Sequence, residues 1–112
     1  MKFNAAQRYT TDGFSGAVFR KLCAEAEVPV QTYYNRADLP GGSTLGNISL
    51  AHVSVPTADI GLPQLAMHSS FETVGTQDVL WLCRAMECCY SAKLKRVGDS
   101  SICVTAKYGE NA

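Results

Sequence analysis

No helical or strand period can run through Gly61-Leu62-Pro63, and this break constrains the fold more than any other stretch of the sequence. Glycine frees φ and proline removes a backbone donor, so regular structure on either side must end there. The run before it, Val53-Ser54-Val55-Pro56-Thr57-Ala58-Asp59-Ile60, is apolar and β-branched and predicts a strand with Pro56 at its start or edge. Beyond the break, Gln64-Leu65-Ala66-Met67 leads to His68 and two serines, just ahead of a new helical pattern. A histidine in the loop after a strand stands where α/β folds place ligand-binding groups. Taken alone, a loop histidine is more often a surface residue.

Upstream of that break, helical and strand periods alternate. Thr10-Thr11-Asp12 reads as a helix start, with a hydroxyl for the N-cap and an acid facing the positive end of the dipole. Phe14, Val18 and Leu22 then form a core-facing stripe, with Ala17 and Ala24 beside it, and Pro29 stops the helix near Val28. Gly13 and Gly16 are poor helix formers and predict close packing of this turn against a neighbour. Val30 to Tyr34 is β-branched and aromatic and predicts a strand. Pro40-Gly41-Gly42-Ser43-Thr44 joins a turn with two residues free to take positive φ to hydroxyls suited to capping a helix. Such a turn at a helix N-terminus presents backbone N–H groups to an anion or a carbonyl, although plain turn chemistry spells the same letters.

Leu45 to His52 predicts a short helix, with His52 a surface residue near its end. Thr76 and Asp78 open the last clear helix, in which Val79, Leu82, Cys83, Met86 and Tyr90 keep helical spacing. Lys93, Lys95 and Arg96 cluster near its end, where cations suit the dipole; Gly98 to Ser101 turns, and Ile102 to Thr105 predicts a brief strand. This alternation predicts an α/β fold, with helices packed on a mainly parallel sheet.

Composition narrows the function classes. The chain has 112 residues, 46% hydrophobic and 18% charged, enough for one packed domain. Ten basic and ten acidic residues give no net field to draw nucleic acid or an anionic membrane. No apolar run approaches the roughly 20 residues that span a bilayer, and Gln7, Arg8 and Asp12 interrupt any signal-peptide core. The expected compartment is the cytoplasm. Five cysteines, at positions 23, 83, 88, 89 and 103, form no Cys-x-x-Cys pair and read as buried structural thiols.

Three blocks in order carry a resemblance. They are Asn4-Ala5-Ala6-Gln7-Arg8-Tyr9-Thr10-Thr11-Asp12, Asn35-Arg36-Ala37-Asp38-Leu39-Pro40-Gly41-Gly42-Ser43-Thr44-Leu45-Gly46, and Gln64-Leu65-Ala66-Met67-His68-Ser69 with Glu72. Together they are similar to the last portion of the aspartyl aminopeptidase and aminopeptidase I family of zinc peptidases, from about Phe3 to about Tyr90. The resemblance implies a three-layer α/β/α fragment, the C-terminal part of a larger zinc-peptidase domain over residues 1–90, with residues 91–112 an unassigned tail. It implies zinc as cofactor, peptide substrates with an acidic N-terminal residue, and a homo-oligomer.

By the same resemblance His68 is a metal ligand, Gly41, Gly42, Ser43 and Thr44 lie at the substrate cleft, and Lys2 faces the substrate's acidic side chain. The remaining ligands and the general-base glutamate would precede the matched portion. This chain offers no catalytic residue of its own and is expected to be inactive alone, since one neutral imidazole cannot hold zinc in an open site. The alternative is a non-catalytic binding or assembly module.

Overall fold

A computed structural model describes residues 1–6, 8–99 and 101–106. Among these residues three helices and three two-stranded sheets are formed, in the order β1 (Lys2–Phe3), α1 (Gly13–Glu25), β2 (Tyr33–Tyr34), α2 (Leu45–His52), β3 (Gln64–Leu65), β4 (Thr73–Val74), α3 (Thr76–Ser91), β5 (Lys93–Val97) and β6 (Ser101–Thr105). The molecule is a small α/β fragment, but the sheet is not the mainly parallel one the alternation predicts. Of the three pairs only β1–β2 is parallel; β3–β4 and β5–β6 are antiparallel. The chain divides into two units, Met1–Phe19 with Val30–Gly61, and Arg20–Pro29 with Leu62–Ala112. The Gly61-Leu62 junction is one of their boundaries.

In the first unit β1 and β2 pair Lys2 with Tyr33 and Phe3 with Tyr34. The Met1 ammonium extends this contact by donating to the Gln31 carbonyl at 3.0 Å. The strand expected over residues 53–60 does not form. Its polar groups are used locally: Val55 N–H bonds back to the Val53 carbonyl, Thr57 Oγ1 donates to the Val55 carbonyl, and Pro56 has no N–H to give. Only Asp59 reaches the sheet, its carbonyl accepting from Lys2 N–H at 2.9 Å.

Asp12, not a hydroxyl, caps α1. Its carboxylate accepts from Ser15 N–H at 2.7 Å while Ser15 Oγ accepts from Asp12 N–H at 3.0 Å, a reciprocal capping box. The Ser15 bonds hold the Asp12 carboxyl below its ordinary range. Gly16 packs as its position predicts: a Cβ there would meet the Phe3 ring at 2.9 Å, and that ring is itself stacked on Tyr34 at 5.1 Å. Gly13 has no such neighbour within 4 Å. The buried side of α1 is turned by one residue from the expected stripe. Ser15, Leu22, Cys23 and Ala26 are buried, whereas Phe14, Ala17 and Ala24 are exposed.

In the second unit α1 ends in a Schellman motif. Val28 N–H returns to the Cys23 carbonyl and Glu27 N–H to that of Ala24, with Glu27 at φ 54°. The end of α1 meets α3 where Cys88 Sγ donates to the Leu22 carbonyl at 3.4 Å. Here too the buried face of α3 is shifted. Ala85 and Cys88 are buried, while Val79, Cys83 and Tyr90 of the expected stripe are exposed. Small residues occupy this contact because large ones would hold the helices apart. All five cysteines are free, but only Cys23 and Cys88 are buried as expected; Cys89 is half-buried, and Cys83 and Cys103, expected to be buried, are exposed. No helix among the described residues is long and apolar enough to cross a membrane.

Candidate functional site

The first two similar blocks come together in the first unit, around Gly41–Thr44, which is an irregular run into α2; the turn expected there falls instead at Ala37 and Asp38, where Leu39 N–H bonds to the Arg36 carbonyl at 3.4 Å. The Asn4 carboxamide oxygen accepts from the N–H groups of Ala6 and Arg8, which folds the first block into a turn of its own (Gln7 lies outside the described residues). Arg8 Nη1 then donates to the Gly41 carbonyl at 2.8 Å, and Asn47 of α2 donates to the Arg8 carbonyl at 2.9 Å. This run is held by the clasp and by the missing side chain of Gly41. A Cβ on Gly41 would fall 2.0 Å from Asn35 Nδ2, whereas Gly42 has open space around it. Neither glycine takes positive φ, so space and not conformational freedom is what requires Gly41. Arg36 and Asp38, in the same loop, form an exposed bidentate pair at 2.6 and 3.0 Å, which holds the Asp38 carboxyl below its ordinary range.

Thr44 occupies the N-cap position of α2 but makes no side-chain cap. Its hydroxyl donates instead to Asp59 Oδ2 at 2.5 Å. The Thr10 N–H points at the same carboxylate at 3.5 Å, while Asp59 N–H donates to Thr11 Oγ1 at 2.6 Å. Asp59 is thus the buried post to which the first block and this run are both tied. Sequence reasoning passed it over as one residue of a strand; an acid in an otherwise apolar run was the available signal, since an acidic side chain is seldom buried without partners. Two polar atoms beside this network are buried without a partner, Thr10 Oγ1 and Asn35 Nδ2. The Asn35 carboxamide is fixed from its other side by Tyr33 OH, which donates to Oδ1 at 2.6 Å.

Lys2 lies in β1 with its ammonium 5.5 Å from the centre of the Tyr9 ring, a cation–π distance. Its stem runs past Gly61, where a Cβ would meet Cε at 3.2 Å.

His68 belongs to the second unit. It does not follow a strand over residues 53–60 but sits in the loop of the β3–β4 hairpin, which pairs Gln64 with Val74 and Leu65 with Thr73. Ser69 N–H closes a turn onto the Ala66 carbonyl at 3.0 Å, and His68 holds its third position at φ 69°. A left-handed residue there is the mark of a type II turn, and His tolerates this region better than most side chains. The Glu72 carboxylate accepts from the His68 backbone N–H. Among the described residues the exposed imidazole has no hydrogen-bond partner, and no group of three or more His, Cys, Asp or Glu side chains is placed to hold a metal ion. These residues therefore do not fit a zinc site by themselves.

The model of the aminopeptidase I zinc metalloprotease (M18) family matches residues 1–90. Among curated proteins, the probable M18 family aminopeptidase 2 of Mycobacterium tuberculosis is 45% identical over 94 residues, 84% of this chain and 22% of that protein. The protein of the same name from Clostridium novyi is 50% identical over 78 residues, 70% of this chain and 18% of that protein. That from Stutzerimonas stutzeri is 45% identical over 92 residues, 82% of this chain and 21% of its own length. The chain spans about a fifth of the length of the curated relatives it matches. No solved structure gives a significant match. With three ordered blocks and four-fifths of its length accounted for, the chain belongs to the M18 family of aminopeptidases.

Proposed function

We propose that this chain carries the last part of a cytoplasmic zinc-dependent aminopeptidase domain that removes acidic N-terminal residues from peptides. In this reading His68 is one metal ligand, the Gly41, Gly42, Ser43 and Thr44 segment borders the bound peptide, and Lys2 meets its acidic side chain. The observation that carries the reading is the convergence of Arg8, Asn35 and Asp59 on that one segment, with Asn35 Nδ2 buried and unpartnered against Gly41. An unpaired buried donor costs roughly 1–3 kcal/mol, which is tolerable where another molecule supplies the acceptor. One histidine does not make a metal site. The chain alone is accordingly inactive in this reading.

A second reading is favoured by the absence of a three-ligand group among the described residues: a non-catalytic binding or assembly module that pairs with further subunits in a homo-oligomer. A chimera separates the two, with residues 1–90 replacing the matched stretch of the Clostridium novyi relative. Under the first reading it cleaves peptides with N-terminal Asp or Glu, and Lys2→Ala raises KM for these while leaving neutral peptides unaffected. A folded chimera without peptidase activity selects the second reading.

A further inference from the structure

Lys93–Val97 and Ser101–Thr105 lie beyond the stretch that the family model matches, and they are the longest strands among the described residues. The β5–β6 hairpin pairs Lys93 with Thr105, Leu94 with Val104, Lys95 with Cys103, Arg96 with Ile102 and Val97 with Ser101, around a turn in which Gly98 takes φ 73°. Strand alternation puts Leu94, Arg96, Ile102 and Val104 on one face, and the two lysines, Cys103, Ser101 and Thr105 on the other. Ile102 and Val104 are half-buried, whereas β5 is exposed throughout.

The two outer edges differ in charge. β5 carries Lys93, Lys95 and Arg96, three cations in five residues; β6, Ser-Ile-Cys-Val-Thr, carries none. Among the described residues neither edge pairs with a further strand. Lysine on an edge strand blocks edge-to-edge pairing, while a neutral, β-branched strand without proline invites it.

We infer that β6 is the docking edge for a second copy of this chain, paired antiparallel about a two-fold axis through Cys103. That axis sets Cys103 opposite its own copy, Ile102 opposite the partner's Val104, and Ser101 opposite the partner's Thr105. The four-stranded sheet runs β5-β6-β6-β5. Both cationic strands lie outermost, where their charges are farthest apart and prevent further addition. Pairing through β5 instead would put Lys95 against its own copy, and like charges directly opposite are unfavourable. The dimer also joins Leu94, Ile102 and Val104 of the two copies into one apolar surface. A five-residue ladder buries less than the roughly 1,200 Å² of a standard interface, so the dimer is weak and forms with rising concentration. The surface lies outside the matched residues, so it stands whether or not the aminopeptidase reading does.

Cys103 is its own probe. Paired Cα atoms in an antiparallel ladder are about 4.5–5.5 Å apart. That lies within the roughly 4.4–6.8 Å a disulfide spans. The full chain is oxidised mildly with diamide at several concentrations, and the linked peptides are identified by mass spectrometry. Cys83 is also exposed and serves as the internal control. The expected result is a Cys103–Cys103 bond, increasing with concentration and exceeding any bond through Cys83. Sedimentation then separates the strand from the thiol. Cys103→Ser keeps the dimer, while Cys103→Glu pairs with Lys95 across the hairpin but faces its own charge across the axis and weakens association several-fold. Links that favour Cys83, a random mixture, a monomer at all concentrations, or Cys103→Glu associating like the parent chain each overturn the inference.

Discussion

Gly41 and Gly42 are adjacent and chemically identical, yet the structure asks different things of them. A methyl group on Gly42 meets nothing within 4 Å, whereas on Gly41 it collides with the Asn35 carboxamide, which Tyr33 OH holds in place. Gly42→Ala should leave stability within about 0.5 kcal/mol, the usual range for an unconstrained surface change. Gly41→Ala should cost roughly 1–3 kcal/mol, because Asn35 must give up its bond or the segment must shift. Urea denaturation of the two variants checks this, and equal midpoints would contradict it. The Pro-Gly-Gly signature marked a break in regular structure but misplaced the turn, which falls at Ala37 and Asp38, ahead of Pro40. What makes Gly41 necessary was not legible, because the obstacle is a side chain six residues away. The same holds for Asp59, whose partners Thr10, Thr11 and Thr44 are brought to it only by folding.

At the scale of elements, α1 shows which signals are local and which are not. Its start was placed by Thr10-Thr11-Asp12, although Asp12 and not a hydroxyl is the cap, and its end was foreseen within a few residues from Pro29, because capping and proline act locally. Its buried face was not, since that depends on the partner it meets. Glu27 occupies the left-handed position of the closing Schellman motif, where glycine has no Cβ to strain. Glu27→Gly should therefore stabilise the chain by roughly 1 kcal/mol, read as a rise in the urea midpoint.

Where α1 meets α3, burial first, and then the neighbouring Cys89 and Cys88, push the Cys23 thiol from its ordinary 9.0 up to about 11. The unfolded chain releases this proton near pH 9 while the folded chain keeps it, so stability is intact below that value and falls as pH rises from about 9 towards about 11. Denaturation midpoints measured across this window should decline, and less steeply in Cys23→Ala. The β5 strand was misread for a different reason. Its cations suit a helix end as well as a strand edge, and only the alternation Lys93-Leu94-Lys95 marked the second possibility.

For the molecule as a whole, the family was written in three blocks, but the sheet was not. Two-residue strands leave almost no periodic trace, and their pairings, Lys2 with Tyr33 for example, span long stretches of chain. Leu45 at 78% and Phe71 at 84% exposure are large apolar side chains on the surface, which under the proposed reading further elements of an M18 domain would cover. The central claim is that His68 brings one metal ligand to such a domain. Its left-handed turn makes His68→Asn the fitting variant, since Asn keeps the backbone conformation and removes the imidazole. In the Clostridium novyi chimera, bound zinc per chain is measured after dialysis for the parent, His68→Asn and His52→Asn. The account predicts that His68→Asn lowers zinc content while His52→Asn matches the parent; unchanged zinc in a folded His68→Asn chimera would contradict it.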